Sequence, residues 1–230
     1  MKKIFCLAFV LFSAIGIFAQ EKTIEQSEFD TVVRNSYRKF GGQSFRQTEN
    51  FQNISPNGNL ITSKSVTEFA ARAGRHSFYE FDSSSLKTKR ETITIGGKTY
   101  MRIGDGEWTD GKIEPASNPE DKPRIVLKTV DEQIEYKSLG TEILDTQNAN
   151  VYAKIERKKL VNEANKSETL STITTKFWIG DDGGVIKREM QIENHITSEK
   201  NPVESVYRDT RTTVWELDPN IKIEAPIIAK

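Results

Sequence analysis

The 230-residue chain has one cysteine, Cys6, two histidines, His76 and His195, and no surplus of charge, with 33 basic and 33 acidic residues. Each scarcity excludes something. Cys6 falls among the first twenty residues, so the remainder holds no thiol. Disulfides and cysteine-ligated metals are excluded there. The fold must be held by its core alone, which about 210 residues can supply as one domain. Without Lys2 and Lys3 the count is 31 basic against 33 acidic, a net of about −2. That balance does not suit nucleic acid, which usually needs a basic face. Lys87–Arg90 and Arg157–Lys159 read as solvated strand surface.

Catalytic constellations are scarce too. His76 and His195 fall in separate strand-like runs. A metal site or a nucleophile–base pair would need them to converge. Asp82-Ser-Ser-Ser85 has hydroxyls but no G-x-S-x-G elbow, and reads as a turn. Gly180-Asp-Asp-Gly-Gly184 has too few oxygen ligands for a calcium loop and reads as a hairpin turn. Gly104-Asp-Gly106 precedes no helix start, so it is not a phosphate cradle. Glu107 and Glu142 would form a glycosidase pair only if the fold brought them together. The expectation is a protein that is not an enzyme and carries no cofactor or metal.

The N-terminus is a separate object. Lys2 and Lys3 precede an apolar run from Ile4 to Phe18, broken only by Ser13 and Gly16, and then Ala19. This is the order of a secretory signal peptide. The run falls short of the ~20 residues a membrane span needs. Cleavage after Ala19 is expected, leaving 20–230 as a single periplasmic or secreted domain, not integral to a membrane.

Thr23 to Phe40 reads as a helix, with Phe29, Val32, Val33, Tyr37 and Phe40 on one stripe. Thr23 with Gln26, or Ser27 with Asp30, would cap it, and Gly41-Gly42 would stop it. Strand-like runs occupy 43–53, 59–72, 74–82, 87–95, 98–104, 134–144, 150–161, 168–180, 185–197 and 203–217. Gly96-Gly97 suits a two-residue turn with φ > 0. Asp110 to Pro123, with three prolines, is expected to be a loop, and 124–132 a short helix. The fold class is therefore α+β, a large strongly curved antiparallel sheet with an N-terminal helix and one short helix.

Along the strands apolar and polar residues alternate. Ile173, Phe177 and Ile179 interleave with Thr174, Lys176 and Trp178; Ile186, Met190 and Ile192 with Lys187, Glu189 and Gln191; Val151, Ala153 and Ile155 with Lys154 and Glu156. The apolar side must be covered. One helix cannot cover some ten strands, so the sheet either closes over a filled core or leaves a groove. Candidate lining residues are Phe69, Ile93, Ile95, Met101, Ile103, Val151, Ile155, Ile173, Phe177, Ile179, Ile186, Met190 and Ile192. Trp108, Trp178 and Trp215 read as core more readily than as ligand contacts.

The ordered set of motifs is similar to a known family. These are the leader and helix, Gly97-Lys-Thr-Tyr-Met-Arg followed by Gly-Glu-Trp108, Tyr136-Lys-Ser-Leu-Gly-Thr-Glu142 leading into Val151-Tyr152, Phe177-Trp-Ile-Gly-Asp-Asp-Gly183 followed by Ile186-Lys-Arg-Glu189, and Ile221-Lys-Ile-Glu-Ala-Pro226. Together they resemble the superfamily of the periplasmic lipoprotein carrier LolA and the mycobacterial lipoproteins of the LppX type. The resemblance implies an unclosed β half-barrel with helices over its concave face. It also implies a hydrophobic ligand, such as an acyl chain, carried in the bacterial envelope. No lipobox cysteine ends the leader, and Ile113 is the one apolar residue of the proline-rich loop suited to a lid. The expected partner is thus a hydrophobic small molecule or acyl chain. An envelope structural or protein-interaction module with a filled core is the alternative. A hydrolase would require the histidines or a carboxylate pair to meet.

Overall fold

The computed structural model describes residues 21–84, 86–111, 127–199 and 201–228. The leader, the short helix's first residues and the greater part of the proline-rich loop lie outside them.

Alternating sequence and tight turns make strands, and the strands form one sheet. They are β1 (Lys22–Thr23), β2 (Phe45–Ile54), β3 (Leu60–Ala70), β4 (Gly74–Asp82), β5 (Lys87–Ile95), β6 (Lys98–Ile103), β7 (Thr109–Asp110), β8 (Leu127–Leu144), β9 (Gln147–Asn162), β10 (Ser167–Gly180), β11 (Val185–Ser198) and β12 (Asn201–Leu217). Their spatial order is β1-β8-β9-β10-β11-β12-β2-β3-β4-β5-β6-β7. Every pairing is antiparallel. Two meanders, β2–β7 and β8–β12, are joined where β12 pairs with β2. The edges β1 and β7 do not meet, so the curved sheet stays an open half-barrel. At the β5–β6 hairpin Gly96 and Gly97 both have φ > 0, at 57° and 77°, as its two-residue turn requires. Gly74 is tied by a different constraint: a Cβ there would sit 2.3 Å from the Thr94 carbonyl oxygen.

The helix α1 (Gln26–Arg38) lies on one face of this sheet. Its extended N-cap residue, Glu25, makes no side-chain cap, so the expected capping by Thr23 or Ser27 does not occur. Thr23 instead pairs with Lys137 on β8, which is why the helix begins three residues late. Glu28 in the first turn and Arg38 in the last both suit the helix dipole. The apolar stripe delivers Phe29, Val32, Val33 and Tyr37, with Phe40 just beyond, onto Phe177, Ile179, Val185 and Trp215. Aromatic rings hold this layer: Phe29 meets Phe177 at 5.8 Å and Tyr37 meets Trp215 at 5.5 Å, both edge-on. Such pairs add about 0.5–1.5 kcal/mol each beyond buried area.

The opposite face carries two smaller cores. Ile221 and Ile223 of the C-terminal tail pack on Ala70, Ile93, Ile95, Tyr100 and Trp108. Trp178 packs with Ala149, Val151, Leu139, Leu144 and Ile186, and donates its indole N–H to Glu142 Oε2 at 2.7 Å.

One expected element is replaced. Residues 127–132, read as part of a short helix, form the start of β8 and pair with β9 from Leu127–Asn162 onward. A ladder along almost the whole of β9 outweighs the weak local preference for a helical turn. α1 is the sole helix among the described residues, and it is not long and apolar enough to cross a membrane.

Phe177 is 8% exposed at the centre of the aromatic layer. Phe177→Ala should lower unfolding free energy by about 3–5 kcal/mol, read as a reduced urea midpoint. A loss under about 1 kcal/mol would mean that the helix does not pack there as described.

Candidate functional site

Directly paired residues in an antiparallel ladder share a face. The pairings can therefore be read straight across the sheet. One row runs Ser138, Tyr152, Phe177, Arg188, Thr213, Glu49, Ser65, Tyr79, Arg90, Ile103. The next runs Tyr136, Lys154, Thr175, Met190, Arg211, Phe51, Ser63, Phe81, Thr88. A third runs Ile134, Glu156, Ile173, Ile192, Asp209, Asn53, Ile61. Phe177 touches the helix, so all three rows lie on the helix-covered, concave face. The helix covers only the end of this face near Phe177 and Trp215.

The thirteen residues expected to line a groove divide between the faces. Phe177 and Ile179 lie under the helix as buried core. Phe69 is on the same face, stacked on Phe45 at 4.5 Å. Met101, Ile103, Ile173, Met190 and Ile192 are also concave, with no described helix over them. Ile93 and Ile95 face outward beneath the C-terminal tail. Val151 pairs with Trp178 and Ile155 with Thr174, so both face outward as well. Ile186 is turned outward by the bulge at Trp178/Ile179, where the register of β11 slips.

Sequence reading missed the most distinctive group. Arg188, Thr213, Glu49 and Arg211 come together where the helix cover ends. Thr213, fully buried, accepts a bond from Arg188 Nη2 at 3.3 Å and donates to Glu49 Oε2 at 3.5 Å. Glu49 lies 4.0 Å from Arg188 Nη2 and 3.7 Å from Arg211 Nε. The Nε of each arginine is buried without an acceptor. The Arg188 guanidinium lies 5.9 Å from the Trp215 ring centroid and that of Arg211 5.6 Å from Phe51. Burial pushes the Tyr37 hydroxyl above its usual pKa, and Arg188 beside it pulls the other way. The signal lay in β2, where Phe45, Gln47, Glu49 and Phe51 share one face inside a run that reads as merely polar.

Towards β8 the concave face becomes an ion ladder. Lys154 and Lys158 flank Glu156 at 3.0 and 3.1 Å, and Glu132 meets Lys158 at 2.9 Å. Desolvation pushes Glu156 up, but the two lysines prevail and hold it below the usual carboxylate range. Among the described residues, the part of this face beyond the helix is thus amphipathic, with apolar residues from β10, β11 and the β2–β6 meander bounded by charge.

A separate open cleft of 750 Å³ lies at the end of the strands beside the helix C-terminus. Phe40, Leu144, Val185, Ile186 and Trp215 line it together with Lys39, Asp181, Asp182 and Lys187. Of the thirteen expected lining residues it holds only Ile186.

The candidate acid–base groups do not meet. His76 is on β4 and His195 on β11, four strand positions apart. That separation is about 19 Å at the usual strand spacing. His76 lies between Glu68 and Glu91, and His195 between Glu193 and Glu204. Glu107 follows β6 and Glu142 ends β8, toward opposite edges.

No family model matches the chain, and no curated protein does. Among solved structures it is similar to a LolA superfamily protein from Nitrosomonas europaea, at 7% identity and a TM-score of 0.28, covering 81% of this chain and 90% of that one. It is also similar to an outer membrane lipoprotein-sorting protein domain from Vibrio parahaemolyticus, at 8% identity and a TM-score of 0.26, covering 85% of this chain and 93% of that one. A likeness of this depth carries no functional argument of its own.

Hydrogen bonds to Glu193 and then Glu204 raise the pKa of His195 above its ordinary value. Its charged form therefore stabilises the fold fully below about pH 6.5. That contribution is lost as pH rises through the raised folded value. His195→Gln should flatten this part of the pH profile of the urea midpoint. An unchanged slope in the variant would show that the two carboxylates do not hold the imidazolium.

Proposed function

We propose that this chain is an exported, non-catalytic binding protein of the bacterial cell envelope. It holds a hydrophobic ligand, a lipid or lipoprotein acyl chain, against the concave face of the half-barrel. The observation that carries this reading is a mismatch of dimensions. Thirteen helical residues, Gln26–Arg38, make a rod of about 20 Å. Twelve strands in one sheet span about 50 Å. Beyond the rod's reach, Phe51, Phe81, Met101, Ile173, Met190 and Ile192 remain half-buried on the same face as Phe177. Apolar area withdrawn from water is worth about 25 cal/mol per Å², so a guest lying there gains affinity without any rearrangement of the core. The signal-peptide pattern ending at Ala19 supports export to the periplasm or beyond. The separation of His76 from His195 supports binding over hydrolysis.

Lipids extracted from the protein purified from its native compartment should include bound acyl species by mass spectrometry. The mature chain should begin at Gln20. A clean extract, together with no binding of a fluorescent fatty-acid probe, would reject the reading in favour of an interaction module. Ile192→Asp sits on the bare face and should leave the fold intact. It should weaken probe binding at least tenfold, since burying an Ile side chain against ligand is worth about 1.5–3 kcal/mol.

A further inference from the structure

We propose that Arg188 and Arg211 form a head-group site, so that the ligand is an anionic amphiphile: an alkyl or acyl chain ending in a carboxylate or phosphate. This deepens the binding reading above and rests on it.

Arg188 on β11 and Arg211 on β12 belong to adjacent rows of the concave face, with Glu49 on β2 between them. Two permanent cations therefore face one carboxylate, and that carboxylate is only loosely engaged. Glu49 stays 4.0 and 3.7 Å from the two guanidinium groups and takes its hydrogen bond from Thr213 instead. Each guanidinium has five N–H donors. Arg188 donates to Thr213, while Arg211 bonds no protein acceptor among the described residues and meets Glu49 only at 3.7 Å. Both Nε atoms are buried and unsatisfied.

Geometry favours an anion arriving from the open side. The arginine side chains are 31% and 41% exposed, so solvent and ligand reach them. The Arg188 guanidinium carbon lies over the Trp215 ring and that of Arg211 over Phe51, contacts that favour these positions and reduce the ordering cost of binding. Planar forks match the two oxygens of a carboxylate or phosphate. Met190 lies directly opposite Arg211 in the ladder, and Ile192 follows it on the same face. A head held by the arginines therefore lays its chain on the apolar strip.

The test is calorimetric titration of the folded mature chain, at pH 8 and low salt, with dodecanoate, dodecyl phosphate, methyl dodecanoate, acetate and inorganic phosphate. Either long-chain anion should bind at least tenfold tighter than the methyl ester. Raised salt should narrow the gap. R188Q/R211Q should lose the preference while still binding the ester. E49Q, which removes the competing carboxylate, should strengthen it. Equal binding of acids and ester by the unmodified chain would overturn the head-group site and leave the hydrophobic reading standing. Failure of every long-chain ligand would overturn both. Binding of acetate or phosphate as tightly as the long-chain anions would mark a small-anion site and overturn the amphiphile assignment. The acid-against-ester comparison uses the unmodified chain, so it decides the matter even if the double variant fails to fold.

Discussion

The structure depends on one aromatic layer. Phe29, Tyr37 and Phe40 of the helix segment rest on Phe177, Trp215 and Phe45 of the sheet, with ring centroids from 4.9 to 6.5 Å apart. This contact fixes which face of the sheet the helix covers. It also fixes where cover stops. The chain has no thiol beyond Cys6 with which to staple loops over the remainder. The other two cores are on the far side, beneath the C-terminal tail and around Trp178. Among the described residues, the surface that the helix does not reach is therefore a consequence of packing on both sides.

That surface is not uniformly greasy. Hydroxyls from Ser63, Ser65 and Ser77 lie among the rings of Phe51, Tyr79 and Phe81. The arginine–glutamate group stands where the aromatic layer gives way to open sheet. A wholly apolar face would favour indiscriminate association with other exposed sheets. On the proposed reading, a mixed face with a pair of cations would select among guests, because a ligand without an anionic head gains nothing from the two guanidinium groups.

Much of this was legible in the residues. Period-two alternation and the Gly96-Gly97 turn gave the antiparallel hairpins, and the 29, 32, 33, 37 stripe gave the helix and its buried side. Face assignment was not legible. Val151, Ala153 and Ile155 alternate as cleanly as Ile173, Phe177 and Ile179, yet the register pairs Val151 with Trp178 and turns the set outward. Alternation within a strand says that two faces differ; only register says which face meets which. Bulges at Ser138/Gly140 and Trp178/Ile179 reverse parity again, and a single sequence does not announce them. Residues 127–132 were misread because their partner strand lies some thirty residues away. Nothing in the sequence singles out Arg188 and Arg211, since nothing local says that two strands will set them side by side.

The most direct test of the central claim is methyl chemical-shift mapping as dodecanoate is titrated into the folded chain. Shifts at Met190, Ile173 and Ile192, with Ile93 and Val151 unmoved, are what a ligand on the bare concave face produces. Shifts confined to Ile186 and Leu217, beside the strand-end cleft, or to the outward residues would contradict it.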